Sequence, residues 1–175
     1  MLNSCYTDYS IANYRMEEHT LSSPTRAQLF VWRAFLESSL ALVDILDEEL
    51  QADVGLSLRW YDLLVQLEDE EEGLKMNELA NRILTSKSGL TRVIDNMEQA
   101  GLLRRQRTPR DRRAVLVAIT PKGRRVVSSA RVCHHGSIRE HFSGILNDDD
   151  LGAIAVAMAK ISEHARPLRP GRISA

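Results

Sequence analysis

The stretch from Thr85 to Ile119 constrains this chain most, because a short amphipathic helix runs almost directly into a charged hairpin. Leu90, Val93, Ile94 and Met97 recur at helical spacing and define one apolar face. Ser86, Lys87, Ser88, Thr91 and Arg92 fall toward the front and the other side. Gly101 stops the helix, and two short apolar runs then enclose Arg107-Thr108-Pro109-Arg110-Asp111-Arg112-Arg113, the pattern of a β-hairpin with a cationic tip. The segment before it, Asn77 to Leu84, opens on Asn77 as a capping residue and turns Leu79, Ala80 and Ile83 inward, the small Ala80 permitting a close crossing. Two helices joined by a very short turn, the second polar at its start, make a helix-turn-helix, and the hairpin makes it winged. Hydroxyls and cations on the first turn of the second helix suit phosphate, because free N–H groups and the helix dipole favour anions there.

Net charge hides this pattern. The 175-residue chain carries a formal net charge of −1, which alone argues against a polyanionic partner. Yet from Leu102 to Arg131 the cations Arg104, Arg105, Arg107, Arg110, Arg112, Arg113, Lys122, Arg124, Arg125 and Arg131 stand against the single acid Asp111. Acids gather elsewhere, in Glu68-Asp69-Glu70-Glu71-Glu72 and Asp148-Asp149-Asp150. One basic face on an otherwise acidic body fits double-stranded DNA in a single orientation.

The chain resembles the MarR family of winged helix-turn-helix transcriptional regulators. The resemblance rests on Leu79-Ala80, on Ser86-Lys87-Ser88-Gly89-Leu90-Thr91-Arg92 and on Gly101-Leu102. Its most specific part is Asp111-Arg112-Arg113-Ala114 followed by Ile119-Thr120-Pro121-Lys122-Gly123. It spans Leu29 to His164 and implies a mainly α fold with a small β-wing: a winged helix-turn-helix head plus a helical dimerisation region. It also implies a homodimeric, ligand-responsive repressor on a palindromic operator. Lys75-Met76 falls where the family has the third, shortest strand of the wing sheet, and Asp111 and Arg113 match the pair that holds the wing's geometry. The family's effectors are often phenolic or otherwise aromatic and bind between the dimer helices and the head, where Trp32, Arg59, Trp60 and Tyr61 fall. Trp32 and Trp60 also stand at helical core spacing, so simple packing is the alternative for them. A urate-sensing subgroup has Arg where Val93 stands here, which disfavours that ligand.

The residues assigned to DNA are Thr85, Ser86, Lys87, Ser88, Thr91 and Arg92 in the reading helix, and Arg107, Arg110, Arg112 and Arg113 in the wing. Hydroxyls and Lys87 suit phosphates, whereas Arg92 suits bidentate reading of a guanine edge. Arg110 or Arg112 suits the minor groove, where arginine reads groove width and A·T content. The bland alternatives are a capped helix with a solvated face and a solvated charged turn.

In chain order, residues 1–22 have no sustained apolar period and read as an arm, and 23–52 as a dimerisation helix opened by Ser23-Pro24. Residues 53–119 form the head, 120–166 two C-terminal dimerisation helices and 167–175 a tail. Ser57 caps a helix through Trp60, Leu63, Leu64 and Leu67. The acids Glu68 to Glu72 oppose its dipole, so fraying is expected there. Thr120-Pro121 opens a helix carrying Val126, Val127, Ala130, Val132 and Ile138. Asn147 opens the last, with Leu151, Ile154, Ala155, Met158 and Ile161 as core face. This apolar content exceeds what a lone head needs, and a dimer interface is the reading preferred over a monomer's core.

Cys5 and Cys133 form no Cys-x-x-Cys motif and read as inert thiols in a reducing cytoplasm. Cys133, His134 and His135 diverge by about 100° each on a helix and cannot share one ion well, so neither metal nor cofactor is expected. A redox- or metal-responsive regulator of the same fold, and a winged-helix module that binds only protein, are the alternatives. The chain has no Gly-rich phosphate loop, Gly-x-Ser-x-Gly elbow or His-Glu-x-x-His helix, and no enzyme is expected. It has neither an apolar run of membrane-spanning length nor an export signal, so the expectation is a cytoplasmic protein without membrane contact.

Overall fold

The computed structural model describes residues 23–83, 89–108 and 111–165, with 108 and 111–114 as backbone only. The elements are α1 (Arg26–Val54), α2 (Leu58–Glu68), β1 (Leu74–Lys75), α3 (Met76–Arg82), α4 (Leu90–Gln99), β2 (Leu103–Thr108), β3 (Asp111–Ile119), α5 (Pro121–Ile138), a π-helical turn (Arg139–Ser143) and α6 (Asp148–Ala165). A mostly helical chain thus carries one three-stranded antiparallel sheet of order β1-β3-β2, as the sequence led us to expect. No helix among the described residues is long and apolar enough to cross a membrane.

The chain divides into two units, Met1–Glu37 and Ser38–Ala175. In the first, α1 is opened by Thr25 rather than by Ser23-Pro24. Thr25 Oγ1 accepts the Gln28 N–H at 3.2 Å while Gln28 Oε1 accepts the Thr25 N–H at 2.8 Å, so two otherwise orphaned donors are satisfied reciprocally. The apolar residues Leu29, Phe30, Val31, Trp32, Phe35 and Leu36 that follow are all exposed.

In the second unit α1 runs two residues past the expected Ala52, to Val54, and Ser57 caps α2 by accepting the Trp60 N–H. Leu63, Leu64 and Leu67 of α2, Leu79 and Ile83 around α3, Ile94 and Met97 of α4, Leu103 and Val117 of the sheet, and Val127 of α5 are fully buried. They make one core beneath the winged head, joined by Leu50 from α1.

Three local expectations shift. The third strand is Leu74–Lys75, paired with Val117 and Leu116, and Met76 already belongs to α3. Asn77 is therefore inside α3, and it is Glu78 that accepts the Lys75 N–H at 3.0 Å. Two of the five acids from Glu68 to Glu72 are ion-paired, Glu68 with Arg131 and Glu70 with Arg82.

The C-terminal helices depart further from the expected pattern. Thr120 caps α5 through the Gly123 N–H and Pro121 takes the first turn, as the sequence indicates, but Val132 is 77% exposed. A π-helical turn then carries the chain to Gly144. Asn147 and Asp150 cap α6 reciprocally. No residue of α6 is buried within the chain: Leu151, Ile154 and Met158 are half-covered, Ala155 and Ile161 exposed. The face expected to be core is thus only partly covered among the described residues.

Candidate nucleic-acid interface

Helix α4 rests on the head core by Leu90, Ile94 and Met97, with Val93 half-buried, and this anchoring turns Thr91 and Arg92 outward on its first turn. The helical period suggested an earlier start, from Thr85. Gly89 has φ +70°, a left-handed conformation outside any right-handed helix, so α4 begins at Leu90. The DNA assignments Thr85, Ser86, Lys87, Ser88 and Arg110 lie outside the described residues. Asp111, Arg112 and Arg113 are placed by their backbone at the start of β3.

The end of α4 fixes where the hairpin leaves the head. Gly101, at φ +74°, lets its own N–H reach Glu98 O and the Leu102 N–H reach Met97 O, a Schellman stop. Leu102 is buried, and β2 then pairs with β3 from Leu103↔Ile119 to Arg107↔Val115. Beyond that pair the register breaks, between Arg107 and Thr108. Arg107 is exposed.

The cations that follow α4 in sequence do not all face outward as one patch. Arg105 donates to Asp95 and Glu98 on α4, Arg131 pairs with Glu68, and the Arg124 guanidinium donates to the Glu68 carbonyl. Lys122 Nζ donates to Ala100 O at 2.8 Å. The count of basic residues between Leu102 and Arg131 therefore overstates the charge available to a polyanion. Among the described DNA assignments, Thr91, Arg92 and Arg107 are exposed.

The Arg105 N–H, then its guanidinium, hold the Glu98 carboxyl below its ordinary value of 4.5. A depressed carboxylate pKa adds stability that is complete above the ordinary value and lost as pH falls through the folded one. The melting temperature is therefore expected to drop on acidification below 4.5, and Arg105→Met to lessen that drop. Glu98 is 37% exposed, so screening by water keeps the effect small.

Three of the four residues assigned to an effector pocket share one helix. Arg59, Trp60 and Tyr61 are successive on α2, Trp60 packs against the head core, and Tyr61 is buried with its ring 4.6 Å from that of His134. Trp32 belongs to the first unit. A cavity of about 290 Å³ opens beside Leu42, Leu46, Ser137, Ile138, His141 and Phe142, where His141 pairs with Glu49 at 2.7 Å. Sequence reading had no means of finding it, because a π-helical turn supplies His141 and Phe142.

Burial, with the Asp53 carboxylate 3.4 Å from its sulfur, pushes the Cys133 thiol up and keeps it protonated. Burial likewise lowers the pKa of His134, with His135 adding to it. Among the described residues no three His, Cys, Asp or Glu side chains are grouped to hold a metal ion.

Residues 54–114 match the family model described as MarR family. The whole fold is similar to AbsC, a MarR family transcriptional regulator from Streptomyces coelicolor, with TM-score 0.74, 34% identity, and coverage of 83% of this chain and 99% of that one. It is also similar to Sco3205 of the same organism, solved in complex with DNA, with TM-score 0.77, 28% identity, and coverage of 83% and 92%. In sequence the chain is 31% identical over 94 residues to YkoM of Bacillus subtilis, an uncharacterized HTH-type transcriptional regulator. That alignment takes in 54% of this chain and 60% of YkoM.

Proposed function

The chain belongs to the MarR family, whose members are transcriptional regulators and not enzymes, and from that premise we propose that it binds a palindromic operator in double-stranded DNA as a homodimer. The observation that carries this reading is α4: its apolar face is spent on the head core, which leaves Thr91 and Arg92 projecting from the first turn. In this reading Arg92 contacts a guanine edge in the major groove, and Thr85, Ser86, Lys87, Ser88 and Thr91 hold phosphates. Arg107, Arg110 and Arg112 approach the adjacent minor groove, and Asp111 with Arg113 steadies the hairpin. Sco3205, similar in fold, is a MarR family transcriptional regulator solved in complex with DNA, which supports DNA binding here.

The homodimer is supported by apolar surface left exposed among the described residues. Leu40 and Val43 of α1 and Val156 and Ile161 of α6 are exposed, and no residue of α6 is fully buried. Removing such surface from water favours association by roughly 25 cal/mol per Å² before the entropic cost of pairing. A two-fold protein then presents two reading helices to half-sites about one duplex turn apart. The protein acts in the cytoplasm as a repressor released by a small aromatic or phenolic molecule, for which Trp32, Arg59, Trp60 and Tyr61 are the proposed contacts.

The test is selection of bound duplexes from a random pool, followed by titration of the enriched sequence at two salt concentrations. An enriched palindrome whose affinity falls steeply with salt is expected, because each neutralised phosphate releases a counterion. Weak, salt-insensitive binding without enrichment would refute the DNA reading and leave a protein-binding winged helix.

A further inference from the structure

One side chain of the hairpin is bound to the reading helix through two carboxylates. Glu98 Oε1 accepts the Arg105 backbone N–H at 2.8 Å, Glu98 Oε2 accepts Arg105 Nη1 at 2.5 Å, and Asp95 Oδ1 accepts Arg105 Nη2 at 2.6 Å. Asp95 stands three residues after Arg92 and four after Thr91 on α4, so the carboxylates continue the row of exposed residues on that helix. On β2, Arg105 and Arg107 are two apart and share a strand face. The contact therefore ties the helix one turn beyond Arg92 to the strand two residues before Arg107.

We propose that Arg105 is a positioning residue that locks α4 and β2 at one angle, so that helix and wing engage DNA as a single rigid reader. It rests on the DNA-binding reading above. Arg105 is spent on two carboxylates and does not itself contact DNA. A planar guanidinium forked onto two acceptors fixes direction as well as distance, which a lysine ammonium does not. As an ion pair, with Arg105 29% and Asp95 55% exposed, the contact adds little to stability. Its consequence is geometric: the buried Met97, Leu102 and Leu103 fix the root of the hairpin, and Arg105 fixes its inclination further out.

A rival account is that Arg105 merely masks two negative charges that would repel phosphate. The two accounts predict opposite signs for Asp95→Asn combined with Glu98→Gln. Masking predicts tighter binding, because the repulsion is gone; positioning predicts weaker binding, because the fork has lost its charged acceptors.

The experiment uses the full chain and the duplex it selects. Affinity is measured for that duplex, for one with the central guanine contact changed, for one with the A·T flank replaced, and for one with both changes. A rigid reader makes the two penalties non-multiplicative in the unaltered protein, since a misfit at either end shifts both. Arg105→Lys keeps the charge and loses the fork. It is expected to weaken binding about tenfold and to make the two penalties multiply. Asp95→Asn with Glu98→Gln should behave in the same way, with the melting temperature nearly unchanged. Unaltered affinity and coupling in Arg105→Lys, or tighter binding by the double variant, would overturn the clamp while leaving DNA recognition standing. An unaltered protein that enriches no duplex would remove the DNA reading, and the clamp with it.

Discussion

Gly123→Ala is expected to lower the melting temperature by roughly 6–12 °C, equivalent to about 3 kcal/mol in a chain of this length. A Cβ built on Gly123 would lie 2.3 Å from the Leu102 carbonyl oxygen and 2.8 Å from Ile119 Cγ1. The first of these is backbone, so no side-chain rotation relieves the clash. The site is also crowded with hydrogen bonds. Leu102 O accepts the Thr120 N–H at 3.0 Å, Thr120 Oγ1 donates to Gly101 O at 2.7 Å, and the Gly123 N–H donates to that same hydroxyl at 3.0 Å. The end of α4, both roots of the hairpin and the start of α5 are therefore joined within a few residues. Pushing α5 away breaks this joint, and calorimetry or thermal circular dichroism reads the loss directly. An alanine variant that melts with the parent protein would mean that α5 can shift by an ångström at no cost, and the joint would be soft.

Arg92→Ala is expected to cut discrimination between the selected operator and its guanine-substituted variants by roughly tenfold to a hundredfold, the range for one bidentate base contact. Arg92 can have this effect because Leu90, Ile94 and Met97 anchor the turn that carries it, so its Cα has little freedom to move. Arg112→Ala should instead weaken binding to all A·T-rich sites with little change in ranking, as expected for a group that reads groove width. Competition titrations against a small panel of duplexes separate the two. Equal loss of ranking in both variants would contradict the division of labour.

Both expectations trace to residues visible in the sequence, yet only one had its cause visible there. The Thr-x-x-Gly after the hairpin was legible as a helix start, since Thr120 and Pro121 obey local capping rules. That Gly123 must lack a side chain was not legible, because the obstructing Leu102 carbonyl arrives from the other end of the hairpin. Arg105 shows the same limit. In sequence it was one cation among ten between Leu102 and Arg131, and nothing local distinguished it from Arg107. Asp95 and Glu98 at helical spacing were a usable signal, but their partner lay across a turn and on a strand.

The main helices, the hairpin and their order were determined by the sequence alone, because period, caps and stops act over a few residues: Ser57, Gly101, Thr120 and Asn147 each act within their own turn. The placement of α4 against the hairpin and the diversion of Arg105, Arg124 and Arg131 into internal contacts were decided by tertiary structure. So was the incomplete cover of the apolar face of α6. Each depends on groups far apart in the chain meeting in space, and a charge or an apolar stripe is the same in sequence whether its partner lies in the head, in a second chain or in water.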